Sequence, residues 1–211
     1  MNDLLIILVV LSNIRLLSTS RIESLITWIG VQGVLLGLFA LHARWVHLTA
    51  DVFVVGLVAL VLKGFVFPWL LRPVANVVHV SQEVDPYVGP MGSTLLGMVA
   101  LVVSLWLGTR LHIPGGDMSR LVVPATLFSV FCGQLLIVSR KKALSQVVGF
   151  LAMENGAFLL GVGTLYYAPF LVEIGVLLDM FVAVLIWTVL IRYLDRAFHH
   201  IDTDQLQHLK G

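Results

Sequence analysis

Seven long apolar stretches constrain this chain more than any other feature of its sequence, and short connections rich in charges, prolines and glycines separate them. A helix of roughly 20 residues crosses the hydrocarbon core of a bilayer, so seven crossings occupy about 140 positions. The remaining connections are too short to form a domain outside the membrane. The sequence therefore predicts an all-α, polytopic membrane protein with about seven transmembrane helices, at residues 4–18, 22–41, 51–71, 91–109, 121–139, 143–167 and 170–193.

The composition excludes the soluble classes of protein. Hydrophobic residues make up 59% of the chain and charged residues 12%, and the mean hydropathy is +0.99, whereas a soluble domain carries roughly 25% charged residues. A formal net charge of +1 offers no basic surface to nucleic acid. The single cysteine, Cys132, excludes a disulfide framework and an iron–sulfur site, and the histidines lie in predicted connections or in the tail. We expect the chain to contribute no cofactor and no metal ion.

Lysine and arginine are distributed unequally between the two sides of the predicted bundle. Cytoplasmic connections carry the excess of these residues in membrane proteins, which predicts an N-terminus outside and a C-terminus in the cytoplasm. The basic side contains Arg15, Arg21, Arg72, Arg140, Lys141, Lys142, Arg192, Arg196 and Lys210, and the other side contains Arg44, Arg110 and Arg120.

Four ionisable residues lie well inside predicted spans, namely Lys63, Glu154, Glu173 and Asp179, whereas Glu23 and Asp51 lie at span entrances, where water reaches them easily. A charge at the bilayer centre costs about 2.5–3.5 kcal/mol even on the lenient insertion scale, so these residues are candidates for function. Glu154 and Asp179 both lie about 15–18 Å from the turn between the sixth and seventh spans, at ~1.5 Å per residue, and so near the midplane. Glu173 lies one turn into the seventh span, and Lys63 lies in the cytoplasmic half of the third.

Carboxyls and a lysine in a dry interior meet the physical requirement of a proton relay. Desolvation and a neighbouring ammonium act in opposite directions on the proton affinity of a carboxyl, so protons can be exchanged near neutral pH. Polar residues of the sixth span, among them Gln146 and Asn155, can hold bridging waters. The alternative is a buried ion pair that only fixes helix packing.

Three other features predict structure rather than chemistry. Gly33 and Gly37, with Gly30, form a small-residue face on which another helix packs closely. Pro68 predicts a kink in the third span. The run at 140–142, Arg-Lys-Lys, is typical of a topology determinant that contacts lipid headgroups.

The sequence also suggests a weak internal repeat, because Arg21, Gly30 and Gly37 have the same spacing as Arg140, Gly149 and Gly156. A true duplication and a coincidence in a glycine-rich apolar chain both remain open.

Several motifs resemble a known family. The basic run at 140–142 followed by GFLAMENG at 149–156 resembles the second-helix region of the small NuoK-type subunit of respiratory complex I. The segment PFLVEIG at 169–175, then Asp179 and the terminal LKG at 209–211, is similar to hydrogenase-4 component E. That family is the longer NuoK-like membrane subunit of group 4 membrane-bound hydrogenase and formate hydrogenlyase complexes. Most of the resemblance lies in the last three predicted helices.

The resemblance implies a proton-conducting, cofactor-free subunit of a prokaryotic inner membrane. Its partners would be antiporter-like subunits and the subunit that docks the peripheral redox arm, and its two relay carboxyls would be Glu154 and Asp179. The chain departs from the family pattern at both positions: the family glutamate aligns with Leu151, one helical turn before Glu154, and an aspartate replaces the second glutamate. The implied organisation is four N-terminal helices in 1–110, NuoK-like helices in 120–194, and a cytoplasmic tail at 195–211.

Two other functions stay open at this point. A subunit of a multi-subunit cation/proton antiporter shares NuoK-like parts but needs no redox partner. A structural spacer would pack between larger subunits without moving ions. A free-standing transporter is less well supported, because the sequence contains no pair of broken helices and no large polar cluster.

Overall fold

A computed structural model describes residues 2–43, 50–77, 86–111 and 119–164 of the 211-residue chain. Every regular element in this part of the chain is helical. The helices are α1 (Asn2–Ser18), α2 (Ile22–Ala43), α3 (Ala50–Val61), a π-helix (Leu62–Val66), α4 (Phe67–Val77), α5 (Pro90–Arg110), α6 (Val122–Ser139) and α7 (Ala143–Thr164).

The prediction of an all-α membrane protein is confirmed for the described residues, but the count of seven spans is not. Five described segments are long and apolar enough to cross a bilayer: Ile22–His42, Gly56–Pro73, Pro90–Arg110, Val122–Ser139 and Ala143–Gly163. The first predicted span is helical as α1, which has only 17 residues. The seventh predicted span, at 170–193, lies outside the described residues, as does the proposed tail.

Helix α2 lies at the centre of the described bundle. It packs against α1, against α7, and against the continuous segment of α3, the π-helix and α4. Helices α6 and α7 form a close antiparallel pair in which Gly133 and Gly149 face each other, since a Cβ atom on Gly149 would lie 2.8 Å from the carbonyl oxygen of Gly133. Helix α5 is peripheral, with many large apolar side chains exposed.

The glycines of α2 allow the third span to approach closely. A Cβ atom on Gly30 would lie 2.7 Å from the side chain of Pro68, and one on Gly33 would lie 2.5 Å from the carbonyl oxygen of Lys63. These separations are below van der Waals contact, so a larger residue would force the two segments apart. The prediction that this face serves helix packing is confirmed.

The break predicted at Pro68 takes the form of a π-helix just before it. The N–H of Phe67 donates to the carbonyl oxygen of Leu62, five residues back. Pro68 has no N–H and cannot donate to Gly64, its usual α-helical partner. The wide turn therefore surrounds Lys63 and Gly64, and π-helical turns of this kind occur frequently at functional sites.

Contacts place the α1–α2 connection and the α6–α7 connection at the same end of the bundle. Arg140, which precedes α7, is fully buried and donates from Nη2 to the carbonyl oxygens of Leu17 (3.3 Å) and Thr19 (3.0 Å). The expectation that all of the run at 140–142 contacts headgroups is therefore wrong for Arg140. Its guanidinium instead joins the two helical hairpins, while Lys141 is exposed.

The two hairpins, α1–α2 and α6–α7, are the segments that the repeated spacing relates. Arg21 and Arg140 each precede the second helix of a hairpin. The glycines, however, have different neighbours: Gly30 meets Pro68 of α4, whereas Gly149 meets α6. The repeat, if it is one, has not kept the same packing partners.

Candidate functional site: a buried ion pair beside a chain of amides

Lys63 of the π-helix and Glu154 of α7 form an ion pair in the interior of the bundle. The Nζ of Lys63 donates to Oε1 of Glu154, and each side chain is only 2% exposed. Glu154 lies 11 residues after the start of α7 and 10 before its end, which is about 15–17 Å from either end at ~1.5 Å per residue. The pair therefore lies near the middle of a membrane-spanning helix.

An aromatic ring covers the ammonium group as well. Lys63 Nζ lies 5.1 Å from the ring centroid of Phe158, one turn after Glu154 on α7. A cation over a ring face is attracted by the ring's quadrupole, more strongly where water is excluded. Glu154 and Phe158 thus bind one cation from two successive turns of the same helix.

The local sequence explains how Lys63 reaches α7. The π-helix widens the backbone at Lys63 and Gly64, and Gly33 of α2 lies against the backbone of Lys63. Because Gly33 has no side chain, α2 comes close enough for the lysine side chain to extend past it toward Glu154. Three features of the sequence therefore position one charge: Pro68, Gly64 and Gly33.

A chain of hydrogen bonds between uncharged side chains begins at the residue after Glu154. Asn155 Nδ2 donates to Gln32 Oε1 (3.1 Å), Gln32 Nε2 donates to Asn13 Oδ1 (3.0 Å), and Asn13 Nδ2 donates to Ser129 Oγ (2.7 Å). Ser129 Oγ then donates to the carbonyl oxygen of Ala125 (2.8 Å). The three amides and the hydroxyl are each at most 3% exposed. We call these four residues the amide chain; it links α7, α2, α1 and α6.

The structure brings two of the four predicted relay residues together and does not describe the other two. Lys63 and Glu154 are paired, whereas Glu173 and Asp179 lie outside the described residues. Of the polar residues expected to hold waters, Asn155 is part of the amide chain. Gln146 instead donates to the carbonyl oxygen of Arg140 (2.9 Å), near the end of the bundle.

Sequence reasoning missed Asn13, Gln32 and Ser129. The first two are amides inside predicted spans, where an unsatisfied polar group is costly and requires a partner. That position was a usable signal. The partners themselves were not predictable, because helices that are apolar all round give no face along which to orient a side chain.

The described part of the site combines charged and amide side chains. Within residues 2–43, 50–77, 86–111 and 119–164, no three histidine, cysteine, aspartate or glutamate side chains are grouped so that they could hold a metal ion. The ion pair combines one basic and one acidic group in a water-poor interior. The expectation that the whole chain contributes no cofactor stays a prediction.

Sequence comparison relates the chain to two kinds of bacterial protein. The chain is 34% identical over 164 residues to the uncharacterized protein Rv0085 of Mycobacterium tuberculosis, and the match covers 74% of this chain and 71% of that protein. It is 27% identical over 153 residues to hydrogenase-4 component E of Escherichia coli K12, with 72% and 71% covered. The component E of Shigella flexneri matches equally well. No family model and no solved structure matches the chain.

The chain therefore belongs to the family that contains Rv0085, and it is a relative of hydrogenase-4 component E.

Proposed function

We propose that this chain is a non-catalytic, proton-translocating membrane subunit of a complex I-like, energy-converting hydrogenase of the hydrogenase-4 type. The observation that carries the proposal is the Lys63–Glu154 pair, buried near the middle of a membrane-spanning helix, in a relative of hydrogenase-4 component E. Electron transfer and hydrogen chemistry take place on other subunits.

The cost of the pair supports a functional role. Each charge at the bilayer centre costs about 2.5–3.5 kcal/mol on the insertion scale. An apolar pair of similar volume packs helices at least as well, because the attraction between buried charges often fails to repay their desolvation. A pair that can hold and release a proton gives these two residues a use that packing alone does not.

In the proposed mechanism, Glu154 and Asp179 form the central relay, Glu173 leads toward the outer side, and Lys63 modulates or relays the charge. Redox chemistry elsewhere moves charges in neighbouring subunits. Those charges change the proton affinities of the carboxyls, which take up a proton from one side and release it to the other. The last three helices act in this scheme as a NuoK-like unit.

The proposed setting is a prokaryotic cell membrane, with the N-terminus outside and the C-terminus in the cytoplasm. The partners are antiporter-like subunits on one side and, on the other, the subunit that docks the peripheral arm. Peripheral α5, with apolar side chains such as Leu95, Val102 and Trp106 exposed, has a surface suited to lipid or to another membrane subunit.

Co-purification tests membership of such a complex. The full chain is tagged, extracted in mild detergent, and analysed for its partner chains and for nickel and iron. We expect antiporter-like chains together with a nickel–iron hydrogenase module. Antiporter-like chains without metal would instead indicate a cation/proton antiporter. Isolation of the folded chain alone, after crosslinking before extraction, would contradict both.

Replacing the three proposed relay carboxyls with amides distinguishes a proton-translocating subunit from a structural spacer. A variant with Glu154→Gln, Glu173→Gln and Asp179→Asn together should assemble with its partners but lose coupled proton movement. A spacer predicts that both assembly and coupling stay as in the unmodified protein.

A further inference from the structure

The amide chain has one direction. Starting from Asn155, every amide donates a hydrogen bond to the next side chain, and the hydroxyl of Ser129 donates to the carbonyl oxygen of Ala125. An amide that donates a hydrogen bond becomes a better acceptor at its own oxygen, so the chain polarises toward its first residue. The last acceptor, the Ala125 carbonyl, also lies four residues before Ser129 and so belongs to the α6 hydrogen-bond ladder.

The side chain of Asn155, the first residue of the amide chain, ends in a buried oxygen to which no described residue donates a hydrogen bond. Asn155 is 3% exposed, and this oxygen is its Oδ1. A buried acceptor without a donor is destabilising, because the group has lost its hydrogen bonds to water. Asn155 directly follows Glu154 on α7, so the amide chain begins next in sequence to the carboxyl of the ion pair, in an interior where charges act over longer distances than in water.

The same four side chains can also form a chain of hydrogen bonds in the reverse direction, with no movement of the helices. Rotating each amide by about 180° exchanges its oxygen and nitrogen, which are nearly equal in size. Ser129 then donates to Asn13, Asn13 to Gln32, and Gln32 to Asn155. Three of the four hydrogen bonds are kept, and Asn155 presents an N–H donor where its oxygen was.

We propose that Asn13, Gln32 and Asn155 are positioning residues for proton transfer at Glu154, and that the amide chain reverses when a proton leaves the Lys63–Glu154 pair. This inference rests on the proposed function. With the proton present, the pair is neutral overall and the chain has the observed direction. With the proton gone, the pair carries a net negative charge, which favours an N–H over an oxygen at the outer end of the Asn155 amide.

No proton travels along the amide chain in this scheme, because an amide has no readily transferable proton. The only O–H that turns belongs to Ser129, and no covalent bond is made or broken there. Within the described segments, Lys63 of the π-helix is the charged group that faces Glu154. The elements packed around it contribute the neutral Asn13, Gln32 and Ser129, and α6 also contributes the buried thiol of Cys132.

Infrared difference spectroscopy tests the reversal directly. The full chain, in the assembly with which it purifies, is isotope-labelled at the side-chain carbonyl carbon of asparagine, reconstituted in lipid, and titrated from acidic to alkaline pH. The carboxyl or carboxylate band that disappears in Glu154→Gln identifies Glu154 and reports on the charge of the pair. We expect the asparagine carbonyl bands to shift over the same pH interval, and we expect this shift to be lost in Glu154→Gln.

A matched pair of glutamine variants tests transmission along the chain. Gln32→Leu separates Asn13 from Asn155, so the asparagine shift should fall about twofold, from two responding residues to one. Gln146→Leu also removes a glutamine from the bundle, but one that bonds only to the Arg140 carbonyl among the described contacts. It should leave the shift unchanged.

The outcomes separate this inference from the proposed function. Asparagine bands that stay constant while the Glu154 carboxyl titrates would overturn the reversal and leave the relay standing. An equal shift in wild type and Gln32→Leu would overturn transmission through the chain. A Glu154 band that does not titrate at all would contradict the proposed relay itself.

Discussion

Lys63 donates a hydrogen bond to Glu154 across 91 positions of sequence, and both side chains are 2% exposed. Lys63 lies on the π-helix between α3 and α4, and Glu154 lies on α7. Helix α2 packs against both of these segments and so lies between them over most of their length. The contact exists because the π-helix and Gly33 let the lysine side chain pass α2. Two buried charges, each costly alone, thus become an ion pair that is neutral overall.

Removing one member of the pair should destabilise the protein more than removing both. Lys63→Met leaves a buried carboxyl without its cation, and breaking a buried pair in this way costs about 3–5 kcal/mol. The double variant Lys63→Met with Glu154→Met should recover most of the loss. Thermal unfolding can be followed through reaction of Cys132, the only cysteine of the chain and a buried one, with a thiol-reactive dye.

Glu23→Gln is the control for this comparison, because Glu23 is exposed in the first turn of α2. It should change the unfolding temperature very little. A double variant as unstable as the summed effects of Lys63→Met alone and Glu154→Met alone would contradict the pairing.

The sequence predicted the helices better than their contacts. Apolar runs set the bounds of α2, α5 and α6 to within two residues of the observed ones, because bilayer thickness fixes the length of a crossing. The third span is longer than predicted and ends at Val77, with Pro73 inside α4. Pro73 is the seventh of the 11 residues of α4, and a proline in a helix interior removes one hydrogen bond and can kink the helix without ending it.

The site was predictable in its residue types but not in its pairing. Lys63 and Glu154 were identified because charges inside spans are costly, and that argument applies equally to Glu173 and Asp179. Which carboxyl Lys63 meets depends on the π-helix and on close packing at Gly33, and neither leaves a period in the sequence. Arg140 was misjudged for a related reason: its neighbours Lys141 and Lys142 made it look like one of a surface cluster.

Gly33→Ala should destabilise the bundle and weaken the ion pair. The added methyl group would lie 2.5 Å from the carbonyl oxygen of Lys63, so α2 and the π-helix must separate, at a cost of about 1–3 kcal/mol. Gly89→Ala is the matched control, because a Cβ atom there would meet nothing within 4 Å. Equal unfolding temperatures for the two variants would show that the close approach is not needed.

Arg140→Lys should be nearly as harmful as Arg140→Ala. The guanidinium of Arg140 donates to two carbonyl oxygens at the α1–α2 connection, and an ammonium group has a different shape and fewer donors. Leaving a buried carbonyl without its donor costs about 1–3 kcal/mol. Lys141→Ala, at an exposed neighbour, should have little effect on the unfolding temperature. Stability retained in Arg140→Lys would mean that charge alone is sufficient at this position.

Thiol labelling tests the orientation in the membrane. In a Cys132→Ala background, Ser20→Cys and Lys141→Cys lie at the same end of the bundle and should react alike. A membrane-impermeant reagent added to intact cells should label neither of them but should label Leu111→Cys, at the opposite end of α5 from Gly89. Labelling of Ser20→Cys and not of Leu111→Cys would reverse the proposed topology.

Measuring proton translocation by the Glu154→Gln variant is the most direct test of the claim that Glu154 belongs to a proton relay. Membrane vesicles that contain the assembled complex are supplied with the substrates of its redox reaction, and proton uptake and redox turnover are measured together. We predict that Glu154→Gln reduces proton uptake to background while redox turnover continues, and that Glu23→Gln behaves as wild type. Proton uptake by Glu154→Gln at the wild-type rate would remove Glu154 from the relay and contradict the proposed function of this pair.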